Sequence, residues 1–263
     1  MKRAIVTGGA SGIGRAVARE LAHRGVAVTV ADLDETSGKA VAAEFGLDFA
    51  LLDVTDAAAV AALVRSVKDE HGRLDLMFNN AGIAIGGTTE ELTLDHWNRA
   101  IEVNLRGVVH GVHAAYPVML AQGHGHIVNT ASLAGLVPAP LMLPYTTTKH
   151  AVVGLSLALR AEAAAHGVRV SVVCPGFTDT PLLDHANPGL PATSLGSNAR
   201  SAAVRATGRL YPVDDLAGDI IRGVARNKAL IVAPAVGRAA WRGARLWPAA
   251  AVRVAGLAIG RIR

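Results

Sequence analysis

A single cysteine, Cys174, stands among 263 residues. One thiol excludes an internal disulfide and a cysteine-rich metal cluster, and it fits a reducing compartment, so a cytoplasmic location and no metal site are expected. Aromatic residues are scarce at 4%, against 51% hydrophobic overall. The interior must therefore be built from Ala, Val, Leu and Gly rather than from rings. No uninterrupted apolar run approaches the ~20 residues needed to span a bilayer. The opening M-K-R-A-I-V-T-G runs straight into a strand pattern without the apolar stretch of a secretory leader, so export is not expected. Acidic residues are absent after Asp219, whereas Arg222, Arg226, Lys228, Arg238, Arg242, Arg245, Arg253, Arg261 and Arg263 all follow it. The net charge of +5 thus belongs to the end of the chain, and the rest carries 17 basic against 21 acidic residues. Such a body offers no basic face to nucleic acid.

What the chain does contain is a regular alternation of short β-branched runs with longer helical patterns. Strands are predicted over residues 3–7, 26–31, 49–52, 74–78, 127–130, 169–173 and 230–232. Helices are predicted from about Gly12, over 35–45 and 56–71, as one long stretch over 94–122, around Tyr145, and from Asp214. This order predicts an α/β fold: a Rossmann-like, doubly wound parallel sheet of about seven strands with helices on both faces. Residues 1–234 read as one dinucleotide-binding and catalytic domain. Within it, 178–211 is rich in Pro, Gly, Ser and Asn and is read as a lid over the substrate. Residues 235–263 form a basic, apolar helical extension, with Pro248 able to open a second helix.

Glycines cluster in T-G-G-A-S-G-I-G, residues 7–14, at the end of the first strand and the mouth of the first helix. Glycine there lets backbone amides approach a pyrophosphate, and the helix N-terminus adds positive potential. The spacing departs from G-x-G-x-x-G, so the turn alone is a weak sign. Asp32 closes the second strand about twenty residues on, where a carboxylate can accept hydrogen bonds from both adenosine ribose hydroxyls and repel a 2′-phosphate. Neither Ser11 nor Leu33 supplies an offsetting cation, which favours NAD over NADP. Asp32 could instead cap the next helix, although Asp34 suits that role better.

Tyr145 and Lys149 stand four apart in Y-T-T-T-K, a spacing that puts phenol and ammonium on one helical face. An adjacent cation stabilises a phenolate, so this pair can handle a proton near neutral pH, though a solvated surface pair has the same spacing. Ser132 follows the strand 127–130, at the edge where ligands gather in open α/β sheets.

Taken together, T-G-x-x-x-G-I-G at 7–14, N-N-A-G at 79–82, Asn104, Ser132, Tyr145 with Lys149, and Pro175-Gly176 make the chain resemble the short-chain dehydrogenases/reductases. The resemblance spans residues 2–232 and corresponds to their single-domain branch. It implies a cofactor site of Gly8, Ser11, Gly12, Ile13, Gly14, Asp32, Leu33, Asp53, Val54, Asn80, Ala81, Gly82, Tyr145, Lys149, Pro175, Gly176, Thr178 and Thr180. In it, Asp53 and Val54 flank the adenine, and Thr178 and Thr180 approach the nicotinamide. Thr178 departs from the small aliphatic residue common at that position. The catalytic set so implied is Asn104, Ser132, Tyr145 and Lys149, with Tyr145 as general acid/base and Ser132 orienting the substrate oxygen. Lys149 would hold the nicotinamide ribose, and Asn104 would position a water that relays protons to Lys149. A buried helix asparagine satisfied by backbone is the alternative reading of Asn104.

The expected activity is NAD-dependent interconversion of a secondary alcohol and a ketone. Leu133, Leu136, Val137, Leu141, Met142, Leu182 and Leu183 lean toward a lipophilic alcohol or ketone. Two alternatives stand beside it: an NADPH-dependent 3-oxoacyl-thioester reductase, and a non-catalytic nucleotide-sensing protein on the same fold. A homodimer or homotetramer is the expected assembly. The extension, with Trp241 and Trp247 among arginines, suits peripheral membrane contact, and equally a helix packed on another subunit or closing over an apolar substrate. His124 and His126 read as turn residues, and Cys174 as a small buried hydrophobe.

Overall fold

The computed structural model describes residues 1–195 and 198–259, with 258 and 259 described by backbone alone. Residues 196–197 of the expected lid, Arg261 and Arg263, and the side chain of Ile259 lie outside that description. Seven strands form one sheet: β1 (Arg3–Thr7), β2 (Ala27–Asp32), β3 (Asp48–Leu51), β4 (Leu76–Asn79), β5 (Gly125–Thr130), β6 (Val168–Pro175) and β7 (Leu230–Ala233). Their order is β3-β2-β1-β4-β5-β6-β7, and every pairing is parallel. The expected doubly wound sheet is therefore present, with strand ends shifted by one or two residues from the sequence reading.

Parallel strands covered on both faces read as apolar runs, and adjacent residues serve opposite layers. Val6 packs with Val17, Val28, Val30, Leu216 and Ile220, beneath α1 (Gly12–Ala22) and α8 (Val213–Ala225). Its neighbour Ile5 packs with Val60, Val64, Met77 and Ile127, beneath α3 (Ala57–His71) and α5 (Gly107–Gln122). Burying each such side chain contributes about 1.5–3 kcal/mol, so the two aliphatic layers replace the missing rings. α2 (Glu35–Phe45) starts at Asp34, whose carboxylate accepts from Ser37 N at 3.0 Å. That cap is the role preferred for Asp34 over Asp32.

The single long helix predicted over 94–122 is divided. α4 (Leu94–Ala100) passes into a π-helical turn, Ile101–Arg106, before α5 begins. An inserted π turn rotates the residues it contains relative to the flanking helix, and Asn104 lies in it. His126 also departs from expectation: it is a buried residue of β5, not a turn residue. α6 (Leu143–Ala163) carries Tyr145 and Lys149.

The irregular segment after β6 contains a 3₁₀ turn at Pro181–Leu183 and α7 (Ala199–Thr207). Its middle is fastened from below. Buried Asn187 accepts from Gly86 N at 3.0 Å and donates to Gly86 O at 2.9 Å. The extension is two helices, α9 (Ala235–Leu246) and α10 (Pro248–Ile259), the second starting at Pro248 as the sequence implies.

Candidate active site

Because all strands run one way, the loops that follow β1, β2, β4, β5 and β6 emerge on one edge of the sheet. The glycine turn after β1 closes on itself. A Cβ on Gly14 would stand 2.0 Å from Gly8 O, and one on Gly8, which has φ +64, would stand 2.8 Å from Ala81 Cα. Only glycine permits both approaches. Ser11 is the N-cap of α1 but makes no side-chain cap, and no acidic residue lies in the first turn. The first amides of α1 are thus free of any side-chain partner and suit an anion. Ile13 turns inward against the core layer that contains Val6.

Asp32 ends β2 and reaches back to this turn: one carboxylate oxygen accepts from Ala10 N at 2.9 Å and the other from Asp34 N at 3.1 Å. Each oxygen retains a lone pair for a further donor. Leu33 beside it is 60% exposed. Asp53 accepts from Thr55 N and Thr55 Oγ1 at 2.9 and 2.8 Å, and the Thr55 amide holds its carboxyl below the usual range despite partial burial. Val54 is buried, and its carbonyl accepts from His110 Nδ1 at 2.9 Å, a bond that assigns the Nδ1 proton. Asn80 and Ala81 direct their backbone amides to Thr7 Oγ1 at 2.9 and 3.1 Å, which fixes the loop after β4 against the glycine turn.

Ser132, Tyr145 and Lys149 meet on the same edge. Gly135 allows this: a Cβ there would stand 2.5 Å from Lys149 O, so the turn after Ser132 can lie directly on α6. Ser132 Oγ accepts from Ala134 N at 3.1 Å, and its hydroxyl acts to lower the nearby Tyr145 phenol. Tyr145 enters α6 behind Pro144, which presets the first helical turn. The chain arrives there through Leu141, at φ +63, whose carbonyl accepts from Gly87 N at 2.9 Å. Lys149 is buried, donates to Thr130 O at 3.0 Å, and lies 5.5 Å from the centre of the Tyr145 ring.

Burial governs the charges here. It lowers Lys149 to about 8, and it raises the Tyr145 phenol against the opposing Ser132 hydrogen bond. The phenol is thus raised where a lowering was expected, because burial outweighs the opposing influence of Ser132. Cys174 is fully buried nearby, its thiol pushed up to about 12 by burial despite the Lys149 charge, which matches the hydrophobe predicted.

Asn104 is fully buried and spans one backbone unit, accepting from Ile83 N at 2.8 Å and donating to Ile83 O at 3.0 Å. The backbone-satisfied reading describes its bonds. Its oxygen and Lys149 Nζ nonetheless both face Gly82, at 3.0 and 3.5 Å from where a Cβ would stand. Pro175 O lies 3.5 Å from Ser132 Oγ, and Gly176 N donates to Ala233 O at 2.7 Å. Thr178 and Thr180 are buried, and the Thr178 hydroxyl is absorbed by Gly176 O at 3.0 Å, so the unusual residue leaves no orphan donor. Among the described residues no cluster of His, Cys, Asp or Glu could hold a metal.

Two supports escaped the sequence reading. Thr7 opens the glycine motif, and only its pairing with Asn80 and Ala81, 73 and 74 residues away, shows it to be a hub. Gly135 gave no signal, since a glycine after A-S-L-A is also an ordinary loop residue.

Comparison with known proteins points in one direction. Residues 2–190 match the family model described as short chain dehydrogenase. A 3-alpha-(or 20-beta)-hydroxysteroid dehydrogenase of Mycobacterium tuberculosis is 35% identical over 241 residues, covering 86% of this chain and 92% of that protein. An uncharacterized oxidoreductase of Bacillus subtilis is 40% identical over 185 residues, 68% of this chain and 72% of the relative. Among solved structures, a short chain dehydrogenase/reductase from Burkholderia phymatum in complex with NAD superposes with a TM-score of 0.84 at 33% identity, covering 94% of this chain and 93% of that one. Levodione reductase gives 0.77 at 29% identity, covering 88% and 95%.

Proposed function

The chain belongs to the short chain dehydrogenase family, and from that membership we propose an NAD-dependent enzyme that interconverts a secondary alcohol and a ketone. The observation that carries the reading is the convergence of Ser132, Tyr145 and Lys149, the last beside Gly82, on the edge that also bears the uncapped start of α1 and Asp32. The residues fit a nicotinamide dinucleotide: Gly8, Gly12 and Gly14 with Ser11 and Ile13 would receive its phosphates, and Asp32 its adenosine ribose. When bound, that group supplies the hydride acceptor or donor. Ser132 fixes the substrate oxygen, and Tyr145 takes or returns the hydroxyl proton. Lys149, charged, offsets the negative charge that develops on the phenol. The apolar cluster of Ile85, Ala134 and Tyr145, with Leu92, Met142 and Leu190 packed on it, excludes water and supports a lipophilic substrate. The similarity to a hydroxysteroid dehydrogenase supports the same class.

The Asp32 carboxylate counts against the NADPH-dependent thioester reductase, and the complete Ser132, Tyr145, Lys149 set has no purpose in a nucleotide sensor. Val109 and Leu120 on α5 and Leu157 on α6 are exposed, which supports a homodimer or homotetramer. The deciding experiment is Tyr145→Phe, assayed with NAD across steroid, aliphatic and cyclic alcohols. Turnover should fall ~10²–10⁴-fold while NADH binding is kept; near-normal turnover would end the proposal.

A further inference from the structure

We propose that α9 and α10 form an interfacial anchor that docks on an anionic lipid surface. The two helices differ in how they meet the body. α9 presents Gly237, Trp241 and Ala244, at i, i+4 and i+7, as its inner face. Gly237 is buried against Leu133 and Val232, Trp241 packs on the cluster that contains Val232 and Cys174, and Arg238 donates to Val232 O at 2.9 Å. The helix is therefore fixed to the protein. On its outer side the exposed Val236, Ala239 and Leu246 have the spacing of a single apolar stripe. Val236 and Leu246 are 72% and 67% exposed.

α10 continues that surface without any polar face to hide it. Its only charged residue among those described is Arg253, and Val252, Val254 and Leu257 are 61–77% exposed around the helix. Trp247, between the helices, is 65% exposed. A one-sided partner would cover a stripe, whereas exposed apolar residues spread over much of the circumference suit a helix lying in a fluid apolar medium. At about twelve residues α10 is too short to cross a bilayer, and no described helix is long and apolar enough to do so.

Charge selects the occupant. Arg242 and Arg245 lie along one side of the outer stripe of α9, and among the described residues no acidic side chain pairs with them or with Arg253. No acidic residue follows Asp219, so two copies meeting through this extension would oppose cation to cation. Exposed tryptophan, an apolar helix and unpaired arginines instead match an anionic headgroup layer with acyl chains beneath it. The anchor starts directly after β7, at the same edge of the sheet as Ser132 and Gly176.

The test uses the intact chain with sedimentable vesicles of phosphatidylcholine alone or with phosphatidylglycerol. Binding is expected to the mixed vesicles, to weaken at least tenfold between 50 and 500 mM salt, and to shift tryptophan emission to the blue. The double variant Arg242→Glu with Arg245→Glu, and separately Trp247→Ser with Leu257→Ser, should each lose binding while alcohol oxidation is kept. No sedimentation of the intact chain with anionic vesicles at low salt would overturn the proposal. So would a light-scattering mass that falls on Trp247→Ser with Leu257→Ser while vesicle binding stays the same, which would make the extension a contact between copies. Because the readout is lipid binding, it fails or succeeds independently of the dehydrogenase assay.

Discussion

The Lys149 ammonium donates to the Thr130 carbonyl at 3.0 Å from a buried position. A lysine whose folded pKa is lowered from 10.5 to about 8 binds fewer protons than the unfolded chain between those two values. Folding stability from this group therefore rises with pH across that window, by up to about 3 kcal/mol, and its cost is fully present below pH 8. Lys149→Met should flatten this dependence in the cofactor-free protein. Parallel pH–stability curves for the two proteins between pH 8 and 10 would contradict it.

Asp32 joins the glycine turn to the adenosine side through Ala10 N. Asp32→Asn keeps an acceptor for that amide and removes the charge that would repel a 2′-phosphate. The ratio of kcat/KM for NADH over NADPH should fall tenfold or more, with little change in melting temperature. An unchanged ratio would remove Asp32 from cofactor selection.

His126 offers an acid-sensitive test far from the chemistry. Ser171 donates its hydroxyl proton to Lys228 O at 2.6 Å, so it must accept from His126 Nε2 at 2.8 Å, which assigns the proton to that nitrogen. Burial lowers His126 from 6.5 to about 4, so the native state binds fewer protons than the unfolded one in that interval. Stability is lost as pH falls from 6.5 toward 4, by about 3 kcal/mol. In His126→Gln the decline should be shallower in urea unfolding followed from pH 7 to 4.5; an equally steep decline would show that other groups set acid stability.

Two glycines should respond in opposite directions. Gly154 is exposed on α6 with nothing within 4 Å of its Cβ position, so Gly154→Ala should stabilise by about 0.5–1 kcal/mol. Gly14→Ala would force a methyl to 2.0 Å from Gly8 O and should lower both the melting temperature and NADH affinity. Equal effects from the two would discredit the closed-turn geometry.

Much of this was legible from residue order. The strand runs were found because a sheet covered on both faces leaves contiguous β-branched residues, and the motif positions because they cap those strands. The break at Ile101–Arg106 was not legible, since a stretch that stays helical and rich in apolar residues hides the phase shift of one π turn. His126 was misread because H-G-H resembles a turn, and its burial depends on Ser171, which arrives 45 residues later. The raised Tyr145 phenol was equally hidden: spacing reports that a cation is near, whereas the direction of its Nζ and the loss of water are tertiary facts.

The uniform strand direction separates two kinds of loop. Turns at Gly46, Gly72 and Gly123, all with left-handed φ, close helices at the end of the sheet remote from Tyr145, where Arg73 and Asp75 also pair. The proposed site lies at the other end. Lineages descended from such a chain can therefore trade substrates by rewriting one set of loops while inheriting the other unchanged, so divergence in specificity and persistence of the scaffold proceed without competing for the same residues.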